Sequence, residues 1–81
     1  MNKLKIKCIV AATNAAGGPD FFPVIVQGTY EELNDGEHYG VAIDAAENAG
    51  YKPHLAYDEN DESCHLLFGK YVWENVTVVT I

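Results

Sequence analysis

Glu37-His38-Tyr39-Gly40-Val41-Ala42-Ile43-Asp44-Ala45-Ala46-Glu47-Asn48-Ala49-Gly50 is the stretch on which the fold turns. Ala42, Ala45, Ala46 and Ala49 recur at helical spacing with Tyr39 and Ile43 beside them. Glu37, Asp44 and Glu47 share the opposite stripe, so the pattern is that of an amphipathic helix. Its small apolar side chains allow close approach to a sheet. Gly50 fits the left-handed position just past a helix C-terminus, and Pro53 follows shortly after.

Upstream, Thr29-Tyr30-Glu31-Glu32 has the threonine-to-glutamate spacing of a capping box. A helical turn is expected there, interrupted by Asn34-Asp35-Gly36. Phe21-Phe22-Pro23-Val24-Ile25-Val26-Gln27 is aromatic and β-branched and reads as a strand, with Pro23 near its start or on an edge. In residues 4 to 10, Leu4, Ile6, Cys8 and Val10 point one way while Lys3, Lys5 and Lys7 point the other. Period two with one charged face predicts a half-buried strand rather than a secretion signal, and lysines discourage association at a sheet border. Gly17-Gly18-Pro19 breaks the chain between these strands, which should form a hairpin.

Downstream, His54-Leu55-Ala56-Tyr57 makes a third short strand and Asp58 to Glu62 a solvated turn. Residues 62 to 69 support two readings. Cys64, Leu67 and Phe68 have i, i+3, i+4 spacing after a plausible Asp61 cap; alternatively Ser63 to Phe68 is a strand turning at Gly69-Lys70. Tyr71-Val72-Trp73 and Val76 to Ile81 are β-prone, with Glu74-Asn75 between them and Trp73 expected in the core. The prediction is a single compact α+β domain over residues 1–81. A small, mostly antiparallel sheet packs on one main helix, in the order β-β-α-β-(short α or β)-β, with only that helix long enough for a crossover.

The chain has 81 residues, a formal charge of −7 and 48% hydrophobic content, enough for one small core and too apolar for a disordered acidic tail. The charge is unevenly spread. Three of the five lysines fall in residues 3 to 7, whereas residues 20 to 62 hold eleven acids against Lys52 alone, a net of −10. An acidic body of this kind is not expected to bind nucleic acid directly or to sit on an anionic membrane, and no apolar run approaches a membrane span. Cys8 and Cys64 are expected as reduced thiols in a cytoplasmic setting.

No strong catalytic or metal signature emerges. Asp58, Asn60 and Glu62 occupy the first, third and fifth places of an EF-hand-like loop, but Ser63 and Gly69 stand where glycine and glutamate are needed. His54, Cys64 and His65 lack the spacing of a zinc site, and adjacent Cys64-His65 would face opposite sides of a strand. No cofactor is expected. Five tyrosines, Tyr30, Tyr39, Tyr51, Tyr57 and Tyr71, suit either half-buried strand positions or a wet contact surface.

In its brevity, acidity and lack of a catalytic signature, the whole chain resembles the small orphan proteins carried by bacteriophages and prophages. That resemblance implies binding to a host or phage protein in the bacterial cytoplasm.

The leading expectation is a non-enzymatic interaction protein that docks on a basic protein partner through Glu31, Glu32, Asp35, Glu37, Asp44 and Glu47. A sheet edge offers a route to homo-oligomers or strand pairing. The alternatives are a nucleic-acid mimic that inhibits a nuclease or CRISPR effector, and a small enzyme using Cys64 and His65.

Overall fold

The computed structural model describes residues 3–68 and 76–81. Strands β1 (Leu4–Thr13) and β2 (Pro19–Gly28) form an antiparallel hairpin, paired without a shift from Leu4–Gly28 to Thr13–Pro19. Its loop is closed by Asn14, whose side-chain oxygen accepts from the Ala16 and Gly18 N–H groups at 3.0 Å. Gly17 supplies the left-handed residue, with φ 88°.

Helix α1 (Tyr30–Asn34) begins with the capping box read from the sequence. The Glu32 N–H donates to the Thr29 hydroxyl at 3.2 Å, and the Thr29 N–H donates to the Glu32 carboxylate at 2.8 Å. Gly36, at φ 80°, reorients the chain into α2 (Glu37–Asn48). Gly50, at φ 94°, ends that helix, and the Tyr51 N–H reaches back to the Ala46 carbonyl as in a Schellman closure.

Strand β3 (Lys52–Asp58) pairs antiparallel with β1, from Thr13–Lys52 to Cys8–Asp58, with a bulge opposite Ala11 and Ala12. Of the two readings for residues 62 to 69, the structure takes the helix: α3 spans Glu62–Phe68 and is capped by Asp61, whose carboxylate accepts from the Ser63 N–H at 2.8 Å. Strand β4 (Thr77–Thr80) then pairs parallel with β2, giving the sheet order β3-β1-β2-β4. The protein is therefore α+β with a mixed sheet. The parallel pair departs from the expectation of a single crossover; residues 59–76 separate β3 from β4, a length of chain sufficient for a second one. The expected strand Tyr71–Trp73, the turn Glu74-Asn75 and the core position of Trp73 lie outside the described residues. So do the side chains of His65, Leu67 and Phe68.

Ala42 and Ala46 of α2 are completely buried against Cys8, Val10, Val24 and Val26 of the hairpin, with Leu33 and Ala56 completing the core. Burying each valine fully is worth about 1.5–3 kcal/mol. The other sheet face departs from the sequence reading. Ile9 alternates with Cys8 and Val10 and so lies on the lysine side of β1, yet it is 0% exposed. From Leu4 to Lys7 neither face is fully buried, whereas from Cys8 to Val10 the strand is buried on both faces. Pro23 sits inside β2, opposite Ile9. Strand alternation turns its missing N–H toward β4, whose pairing starts one residue later at Val24–Thr77.

Candidate functional site

Of the six carboxylates expected to bind, the structure gathers three on one stripe. Glu37, Asp44 and Glu47 are exposed on α2, on the side away from buried Ala42 and Ala46. At 1.5 Å rise per residue they span about 15 Å of helix. Glu31 and Asp35 are exposed on α1 and at its C-cap. Among the described residues none of these five forms an ion pair. Glu32 differs, because its carboxylate is engaged in the capping box. Hydrogen bonds from the Thr29 backbone and side chain hold its pKa below the ordinary glutamate value.

The tyrosines divide by burial. Tyr30 remains 71% exposed at the start of α1. Tyr51 is half-buried and tilts against Phe22 at 5.5 Å between ring centroids, and Tyr57 is half-buried on β3. Tyr39 is half-buried as well, and its hydroxyl leads to the most polar part of the interior. Tyr71 lies outside the described residues.

That interior cluster joins the start of α2 to the end of β3. Asp58, expected in a solvated turn, folds inward and its side chain is only 15% exposed. The Tyr39 hydroxyl donates to Asp58 Oδ2 at 2.8 Å, and the Asn60 N–H donates to Oδ1 at 2.8 Å. His38 Nε2 lies 3.4 Å from the same Oδ2, a long contact in which the ring nitrogen must be the donor to an ionised carboxylate. His38 is 3% exposed, and its Nδ1 has no hydrogen-bond partner among the described residues. Burial pushes the Asp58 pKa up, but the hydrogen bonds from Tyr39, Asn60 and His38 outweigh it and hold the carboxyl below the usual aspartate value. Burial, aided by the Asp58 hydrogen bond and charge, raises the Tyr39 hydroxyl to about 12.

Composition alone does not point to this cluster, but the helical period does. His38, Ala42 and Ala46 are four apart, so His38 shares the buried stripe.

A histidine oriented by a carboxylate is half of a nucleophilic site, and two thiols lie within electrostatic reach of that carboxylate. Neither is activated. Burial, followed by the charges of Asp58 and Glu59, raises Cys8 to about 12, and burial with Asp61 and Asp58 raises Cys64. Reactive cysteines need an electropositive surround, and this one is acidic. Cys8 is 0% and Cys64 5% exposed, both as free thiols. Iodoacetamide at pH 8 should therefore label the native protein far more slowly than the urea-unfolded chain. Comparable labelling of Cys64 in both states, read by peptide mass spectrometry, would refute this.

Among the described residues no group of three or more His, Cys, Asp or Glu side chains could hold a metal ion. No helix among them is long and apolar enough to cross a membrane.

No protein-family model, curated protein or solved structure matches this chain.

Proposed function

We propose that this chain is a small non-enzymatic interaction protein that docks on a basic protein surface through the acidic outer side of α1 and α2. The observation that carries the reading is the state of Glu31, Asp35, Glu37, Asp44 and Glu47. All five are exposed, and among the described residues none is neutralised by a cation. Charges left unpaired on a helix face repel one another, and of the five only Glu31 and Glu37, in the first turns of their helices, gain a favourable interaction with the helix dipole. A basic partner would convert that repulsion into attraction, accelerating encounter and rejecting acidic competitors. Tyr30 beside Glu31 supplies an exposed aromatic anchor of the type that concentrates binding energy. The raised thiol pKa values support the non-enzymatic part of the reading. Free thiols and the overall style of the chain fit a cytoplasmic, phage-type protein.

The experiment is affinity capture from a lysate of the organism that encodes the chain, run at low and high salt with a Glu37→Lys/Asp44→Lys/Glu47→Lys variant in parallel. The native chain should retain basic proteins at about 0.1 M salt and release them at high salt, where the Debye length falls to about 3 Å. The variant should lose the same proteins at low salt. Equal capture by both chains would refute the proposal. Competition by duplex DNA would identify the partner surface as a nucleic-acid groove, the form that a mimic would occupy.

A further inference from the structure

Strand β1 is longer than its neighbour on the β3 side. β2 pairs with all of Leu4–Thr13, whereas β3 reaches only to Cys8 before Asp58 closes a turn. The Lys7 carbonyl accepts from the Glu59 N–H at 2.9 Å and so faces the β3 side. Backbone groups alternate sides along a strand, so the Lys5 N–H and C=O also face that side. Among the described residues, no strand continues along Leu4–Ile6 to meet them. Over the same three residues lies a groove of about 360 Å³, lined by Leu4, Lys5, Ile6, Tyr30, Leu33 and Asn34. Leu4 is 46% exposed there.

We propose that Leu4–Ile6 is an acceptor edge for an added β-strand, taking from a protein partner an extended segment that alternates apolar and acidic residues. The Lys5 backbone groups, unmet among the described residues, call for a strand, since extended chain presents a donor and an acceptor on the same side of one residue. The groove calls for apolar side chains, because residues added opposite Leu4 and Ile6 point toward α1 and Leu33. Charge selects the remaining positions. Lys3 and Lys5 are exposed; strand alternation places Lys5 on the opposite sheet face from Leu4 and Ile6, and Lys3 just precedes the strand. A residue added opposite Lys5 faces it directly, where an acid stabilises the pair and a base destabilises it. A second copy of this chain pairing through the same edge would set lysines against lysines, so the lysines that exclude self-association admit an acidic strand. This site shares Tyr30 with the acidic surface of α1 but not the stripe Glu37, Asp44 and Glu47 of α2, and its partner has the opposite charge.

The probe is the peptide acetyl-Glu-Val-Glu-Leu-Glu-Val-Glu-amide, titrated into the whole chain at about 0.15 M salt, where the Debye length of about 8 Å limits repulsion from Glu31 and Asp35 of α1 and from the acidic stripe of α2. Saturable amide shifts should appear at residues 3–7 and 30–34 in NMR spectra. The same peptide N-methylated at alternate residues, so that it cannot complete the ladder, should not bind. A Lys3→Glu/Lys5→Glu variant, altered only at exposed positions, should bind the peptide about tenfold more weakly, equivalent to about 1.4 kcal/mol. It should also gain affinity for the lysine counterpart, acetyl-Lys-Val-Lys-Leu-Lys-Val-Lys-amide. Absence of saturable binding, equal binding of the N-methylated peptide, or shifts confined to other residues would overturn the proposal. Dimerisation of the native chain through β1, seen by sedimentation and shifts at the same residues, would overturn it too.

Discussion

Asp58→Ala is expected to destabilise the protein by about 3 kcal/mol, since hydrogen bonds to a charged acceptor contribute about 1.5–3 kcal/mol and their orphaned donors add a further cost. One carboxylate receives the Tyr39 hydroxyl, the His38 ring and the Asn60 N–H, and so fastens the first turn of α2 to the end of β3. Removing it strands buried His38, which already has an unpartnered ring nitrogen, and half-buried Tyr39. In a domain of this size the loss should lower the melting temperature by about 12–24 °C. Tyr39→Phe removes a single donor and should cost less, and the double variant should cost less than the sum because both changes act on one network.

The pH dependence of the effect follows from the lowered pKa of Asp58. A carboxyl that is more acidic in the folded state contributes stability above its unfolded pKa, near about 3.9, and loses it as pH falls through the folded value. The difference between native protein and Asp58→Asn should accordingly be largest near neutrality and shrink below about pH 4. Urea titrations of both proteins from neutral to acid pH provide the measurement, and a difference independent of pH would contradict the account.

Ile9→Ala should cost about 2–5 kcal/mol, the range for removing a buried isoleucine whose surroundings relax incompletely. Ile9 is 0% exposed on the face of β1 that also carries Lys5 and Lys7. Were that face solvated, as the lysine alternation predicts, the substitution would cost well under 1 kcal/mol, as surface changes do. Lys5→Ala, two turns of the alternation away and exposed, is the control and should change stability little. Chemical denaturation of the two variants separates the cases directly. A small effect at Ile9 would mean that only one sheet face is built into the core.

The local elements were largely legible in the sequence, because each rests on short-range chemistry. Thr29 and Glu32 meet within one turn, Gly36 and Gly50 take the left-handed conformations that end helices, and Ala42 and Ala46 recur at the helical period. The acidic stripe of α2 was legible for the same reason, since Glu37, Asp44 and Glu47 are ordered by one helix. The Asp58 cluster was not. Asp58 sits among Glu59, Asn60, Asp61 and Glu62, where composition points to water, and only the approach of α2 brings it donors.

Sequence by itself determined an α+β domain, its hairpin, its main helix and an acidic body with a basic first strand. Tertiary structure decided what depends on chain segments far apart. It made β4 parallel to β2, buried Ile9 among the lysines, drew Asp58 inward and left Leu4–Ile6 beyond the reach of β3. The physical reason is range: helix period, capping and turn chemistry act over a few residues, whereas strand partners, burial and the fate of a charge are set by what arrives from across the fold.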